Sequence, residues 1–362
     1  MNTNFKSTSK SCLQSYILPS LTGRGSLLES VALHWGRVCF FLLSLLLFAA
    51  CSSDNDEQVQ QPQPEKSFPL TIEVTENPMT GDGENSSNRA AITTTSGLAS
   101  FKMYYTYGTT DSETDFTASK DTDGKWTSSD ANWPGAAVAD PGISVNWHAY
   151  TGGTFNYNSG NPYINFTVEE WAKDQKDLLV AKTTDTWTNC SGNLSFAFDH
   201  ACSAFRFLVK KAKNLDDYTV NVTEIKLWNI KNNGLYNFGT SEWSNQSGAA
   251  SYTLCKYNSE TPWTLGSSSY TELEQGEDGP YFFVIPQDLT AWNGSGSPAN
   301  TYISITCKIT KTSDSSVKFD GTAYIPFGGI TLNKGGKRDL KINIGQSSLR
   351  NSSGNLIFTP SI

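Results

Sequence analysis

Downstream of residue 51, the residue types that most often carry acid–base or nucleophilic chemistry are sparse: two histidines, His148 and His200, and four cysteines, Cys190, Cys202, Cys255 and Cys307. A histidine serves as a catalytic base when a second group orients its ring and a nucleophile lies within reach. His200 sits in FAFDHACSAF with Asp199 beside it, but adjacent strand residues point to opposite faces, so Asp199 is badly placed to orient the ring. His148, in SVNWHAY, alternates with Trp147 and Ala149 on an expected strand and reads as a structural imidazole. No GxSxG, HExxH or phosphate-binding loop occurs, and the acidic stretch 111–123, which runs into the DTDG at 121–124, lacks EF-hand spacing. The cysteines have no CxxC or metal-ligand spacing; they read as buried thiols, and three pairings stay open to them if they oxidise. The expectation is a protein that is not an enzyme, with no metal and no cofactor.

Covalent chemistry is signalled elsewhere. The segment VCFFLLSLLLFAAC, residues 38–51, follows Arg37. Its apolar run of roughly a dozen residues is shorter than the ~20 a spanning helix needs, and it reads as the hydrophobic region of a signal peptide. Small Ala49 and Ala50 fit the narrow subsites of a signal peptidase, and Cys51 stands where a bacterial lipoprotein places the thiol that receives lipid. SSDNDEQ directly after it is a solvated tether. The expected partner of Cys51 is therefore outer-membrane lipid, with residues 1–50 an over-long signal and residues 51–67 an acidic, polar tether.

The elements that follow are strands. Charged residues make up 17% and aromatics 12% of 362 residues, with Gly, Ser, Thr and Asn plentiful, a usage that favours strands and turns. In SFPLTIEV, Phe68, Leu70, Ile72 and Val74 alternate with smaller or polar residues and predict a half-buried strand. Residues 77–89, NPMTGDGENSSNR, offer turn formers and little to bury, and read as an exposed, protease-accessible loop. Strand signals resume at LASFKMYYTYG, break at the acidic stretch TTDSETDFTASKDTDG, and continue through SVNWHAY, PYINFTV, DLLVAK and LSFAFDHACSAFRFLVKK. Only VEEWAKDQKDL, around Trp171, is expected to turn briefly helical. A second group comprises YTVNVTEIKLWNI, GLYNF, PYFFVIPQ, TYISITCKI, GTAYIPF and RDLKINI.

Short strands at this spacing argue two β-sandwiches in series, residues 68–203 and 204–344, followed by a linker and tail over residues 345–362. The tail ends NLIFTPSI, in which Leu356, Phe358, Pro360 and Ile362 share one face of an extended chain and need something to bury them.

The formal charge is −8; residues 1–50 hold a net +3, so the remainder carries −11. Such a chain repels phosphate backbones, and nucleic acid is excluded as a partner.

The succession of a lipoprotein signal, NRAA, NWP at 132–134, WHAY at 147–150, DLLVA at 177–181, LSFAFDHACSAFRF and FVIPQDL at 283–289 resembles the fimbrillin (Mfa-like) family of Bacteroidales fimbrial subunits. The acidic run after Cys51 is similar to the surface-export signal of Bacteroidetes lipoproteins. The resemblance implies transthyretin-like sandwiches, lipid-dependent export to the cell outer membrane, cutting by an arginine-specific protease, and polymerisation with other fimbrial subunits by strand exchange. Carried onto this sequence, the cut falls between Arg89 and Ala90, and a host receptor is a further implied partner. Such a cut releases Phe68, Leu70, Ile72 and Val74 as a displaced strand. The tail's Leu356, Phe358, Pro360 and Ile362 repeat that spacing and form a candidate donor strand. The alternative is a monomeric surface lipoprotein that binds a glycan or host protein through exposed aromatics.

Overall fold

The computed structural model describes residues 68–81, 97–112, 114–156, 161–255, 261–273, 281–290, 292–326 and 329–357. Cys51, Arg89, Ala90, Phe358, Pro360 and Ile362 lie outside them.

Alternating side chains build the first core. In β11 (Asn193–His200) the even-numbered residues Leu194, Phe196, Phe198 and His200 are buried and their neighbours exposed, as a strand with one wet face requires. β11 lies between β1 (Thr71–Glu76) and β10 (Leu179–Thr186). Beyond β10 comes β7 (Ser144–Tyr150); beyond β1 come β6 (Trp126–Thr127), β5 (Phe116–Lys120), β3 (Ser100–Tyr107) and the short β4 (Thr110–Asp111). β3 also pairs with β7, from Lys102↔Tyr150 to Thr106↔Asn146, so the sheet closes on itself. It encloses Phe101, Met103, Trp133, Trp147, Phe196 and Phe198. Two short helices, α1 (Gly135–Ala139) and α2 (Trp187–Cys190), lie in its connections. The acidic stretch expected as loop contains β5: Ala118 supplies a fully buried side chain, and pairing with β3 outweighs the polar composition on either side.

The second core is a sandwich. One sheet runs β18 (Thr271–Glu272), β12 (Ser203–Lys211), β24 (Gly336–Ile344) and β2 (Thr80–Gly81), with β19 (Phe282–Val284) also on β12. The other runs β16 (Ala250–Cys255), β13 (Tyr218–Ile230), β21 (Tyr302–Lys311) and β22 (Val317–Ile325), with β17 (Trp263–Thr264) also on β13. Phe205, Phe207 and Ile342 of the first sheet share one apolar cluster with Val220, Ile225 and Ile305 of the second. A four-stranded sheet, β15 (Glu242–Ser247), β14 (Asn233–Asn237), β9 (Tyr163–Thr167) and β8 (Thr154–Asn156), and a pair, β20 (Gln287–Leu289) with β23 (Ile330–Leu332), complete the fold. β9 pairs with β14 from Tyr163↔Asn237 to Thr167↔Asn233, so Ile164 and Phe166 join the second core from before residue 204. The short helical turn expected near Trp171 is a single 3-10 turn, Ala172–Asp174.

Candidate functional site: the β1 strand and its surroundings

β1 takes its form from the spacing of its apolar residues. Ile72 is 4% exposed, Phe68, Leu70 and Val74 are half-buried on the same face, and all four pack on the first core. Phe68 meets Trp187 edge-on at 5.4 Å. Pairing is lopsided. Among the described residues, β1 runs parallel to β11 through six residue pairs, Thr71↔Asn193 to Glu76↔Phe198, and meets β6 at Ile72↔Trp126, with Pro69 bridged to Asn132 just before the strand. Thr71 N–H donates to Gly192 O and Asn77 N–H to Phe198 O, both at 2.9 Å, and Trp133 N–H donates to Phe68 O at 2.8 Å. The strand is thus laddered along one edge and held more sparsely along the other, at Ile72↔Trp126, the Pro69↔Asn132 bridge and the Trp133–Phe68 hydrogen bond.

The chain leaving β1 does not enter open loop at residue 77. Met79 is 8% exposed and packs in the second core, and Thr80 pairs with Gly336 of β24. Residues 68–81 therefore engage both cores.

β1 ends on a buried ionic cluster that sequence spacing did not reveal. His200 Nε2 is 3.0 Å from Glu76 Oε1, and its Nδ1 lies against Asp177 Oδ2. Burial lowers the proton affinity of this ring, but the Asp177 carboxylate and then Glu76 more than offset it, and the pKa is raised above 6.5. Asp199 does not take part: it faces outward and accepts from Asn77 Nδ2 at 2.7 Å. The Cys202 thiol beside Asp177 is fully buried, and burial pushes its pKa well above 9.0, which withholds the thiolate a nucleophile requires. Cys190 and Cys307 are likewise free and buried. His148 is stacked on Tyr104 at 4.8 Å and faces Phe238 at 4.9 Å; burial, with a smaller contribution from Lys182, lowers its pKa to about 3. Neither histidine has the geometry of an acid–base catalyst.

The other end of the chain is docked at home as far as it is described. Leu349 is fully buried, and Arg350 exchanges backbone hydrogen bonds with Tyr324 of β22 at 2.8 and 3.0 Å. The chain then turns, Ile357 N–H donates to Leu349 O at 3.0 Å, and Ile357 packs on the second core. Leu356, bridged to Arg350, is 40% exposed. The polar stretch from residue 345 is therefore partly anchored, and Leu356 points away from its own core. Large hydrophobic side chains classed as exposed among the described residues are Tyr270, Val317 and Leu356. Most aromatics are packed inside.

The described residues thus form an all-β fold with two apolar cores and buried thiols. The family model described as fimbrillin-like matches residues 76–362, and the chain belongs to that family, one of fimbrial structural proteins and not of enzymes. The family places it at the cell surface. Among the described residues no helix is long and apolar enough to cross a membrane.

The fold is similar to that of a fimbrial protein from Bacteroides vulgatus at 18% identity and a TM-score of 0.52, covering 76% of this chain and 95% of that one. Weaker similarity extends to two candidate cell adhesion proteins. The one from Bacteroides ovatus has 14% identity, TM-score 0.44 and coverage of 78% and 95%; the one from Bacteroides eggerthii has 11%, 0.43, and 83% and 94%. No curated protein matches the chain.

Proposed function

We propose that this chain is a subunit of surface fimbriae, exported as a lipoprotein through Cys51, cut after Arg89 by an arginine-specific protease, and polymerised by β-strand exchange. Once the chain is cut, β1 and the tether are held only by non-covalent contacts. β1's departure exposes the long edge of β11 and the row of pockets that Phe68, Leu70, Ile72 and Val74 fill. The tail of another subunit supplies the replacement through Leu356, Phe358, Pro360 and Ile362, four apolar residues at the same spacing. The uneven pairing of β1, six residue pairs with β11 against one with β6 and the single Pro69↔Asn132 bridge, is the observation that carries this reading. A host receptor is a further partner of the assembled fimbria. Before cutting, the precursor is held in the outer membrane by its lipid.

Deleting residues 355–362 tests the proposal. The variant is expected to be exported and folded, with the same circular dichroism as the parent, and absent from filaments seen by electron microscopy. Filaments of unchanged length and composition would overturn the role given to the tail.

A further inference from the structure

Pairing and packing do not account for all that holds β1. Its last residue, Glu76, reaches a histidine that two other segments bury: His200 from the end of β11 and Asp177 from the turn before β10. The side chains of His200 and Asp177 are each 2% exposed and that of Glu76 is 11% exposed. A protonated imidazole donates from both nitrogens and serves both carboxylates. The neutral ring donates from one and turns a lone pair towards the other. Asp177 is buried in the interior, whereas Glu76 lies at the end of β1, which is paired far more on its β11 side than on its β6 side.

We propose that His200 is a carboxylate-reading site at the C-terminal end of the β1 slot, which retains that strand through Glu76 and discriminates against a replacement strand lacking an acidic side chain there. The retention half stands on the intact chain; the discrimination half rests on the strand-exchange reading. Residues 355–362, NLIFTPSI, contain neither Asp nor Glu, so the chain's own tail fills the slot best after His200 has lost its proton.

The groups acting on His200 are Asp177 and Glu76. The Cys202 thiol lies on Asp177 and stays protonated, and the Tyr252 hydroxyl near Cys202 also keeps its proton, both through burial. Asp199 turns outward to Asn77. Because the folded pKa of His200 is raised, the hold on Glu76 is complete below 6.5 and is lost as pH climbs through the raised value.

The test is hydrogen–deuterium exchange on the uncut full chain at pH 6 and pH 9, corrected for intrinsic exchange, comparing the amides of residues 72–77 with those of β10. In the parent the β1 amides are expected to lose about tenfold more protection than β10 between the two pH values, the scale of one pKa unit of differential interaction. Glu76→Gln is expected to show the low protection at both, with β10 unchanged. Equal protection and equal pH dependence in parent and Glu76→Gln would overturn the proposal. His200→Gln provides a second arm. If it folds, it must match Glu76→Gln; if it does not, the Glu76→Gln comparison decides alone. Loss of the Glu76 effect with filaments intact strikes this site, whereas an intact effect without filaments strikes the assembly reading.

Discussion

The two histidines downstream of Cys51 respond to pH in opposite senses because their neighbours differ. His148 is boxed in by Tyr104 and Phe238 and stays neutral until about pH 3, while the unfolded chain takes up the proton near 6.5. The unfolded state therefore binds more protons between those values, and stability falls as pH drops from 6.5 towards 3. The loss from this residue alone is on the order of 4 kcal/mol at the acid end. Replacing it with a similar flat apolar ring, His148→Phe, is expected to flatten the acid limb of a denaturant-midpoint curve measured from pH 7 to pH 4. An unchanged limb would mean that carboxylates elsewhere govern acid unfolding. Gly354 matters for a different reason. Its φ of +81° favours glycine, and an added Cβ would stand 2.1 Å from Gly296 O. Gly354→Ala is expected to loosen the turn over residues 350–357, read as faster amide exchange at Tyr324 and Arg350 with the rest of β22 unaffected.

Among the elements, β1 shares its pairing unevenly, with six residue pairs to β11 against one to β6. Ile72 is its deepest anchor, and Ile72→Ala is expected to cost about 2–4 kcal/mol of the first core's stability, through lost burial and the cavity left behind. On the exchange reading the same variant releases β1 sooner after cutting, so thermal melting and the rate of filament growth should move in opposite directions. A parallel fall in both would argue that β1 is permanent scaffold. β2 opposes release: its pairing with β24 and the burial of Met79 must also be undone before the segment departs.

For the molecule as a whole, the proposal joins the beginning of one chain to the end of another. Arg89→Ala is expected to leave surface protein whose N-terminal fragment stays attached, whereas the parent yields a new terminus at Ala90 on sequencing of surface material. If the parent's surface form retains residues 68–74 covalently, processing at Arg89 does not occur and the slot is never vacated. The partly anchored tail fits a precursor that waits in monomeric form. Leu349 and Ile357 hold it to the second core, and Leu356 stays turned outward.

What could be read from the residues was whatever depends on near neighbours. Alternation in SFPLTIEV, SVNWHAY and LSFAFDH placed β1, β7 and β11, because side-chain direction along a strand is set by the backbone two residues at a time. The same local logic showed that Asp199 would not serve His200. It was silent about which carboxylates would: Glu76 is 124 residues away in sequence and Asp177 is 23, and no spacing rule spans those distances. β5 and β2 were missed for the same reason, since each owes its strand form to a partner in another segment. Periodicity decided that the chain is made of strands with one apolar face. Only long-range pairing decided that one of them is tied mainly along one edge and clasped at its end by a buried histidine, because strand order and ion pairing are properties of the closed sheet.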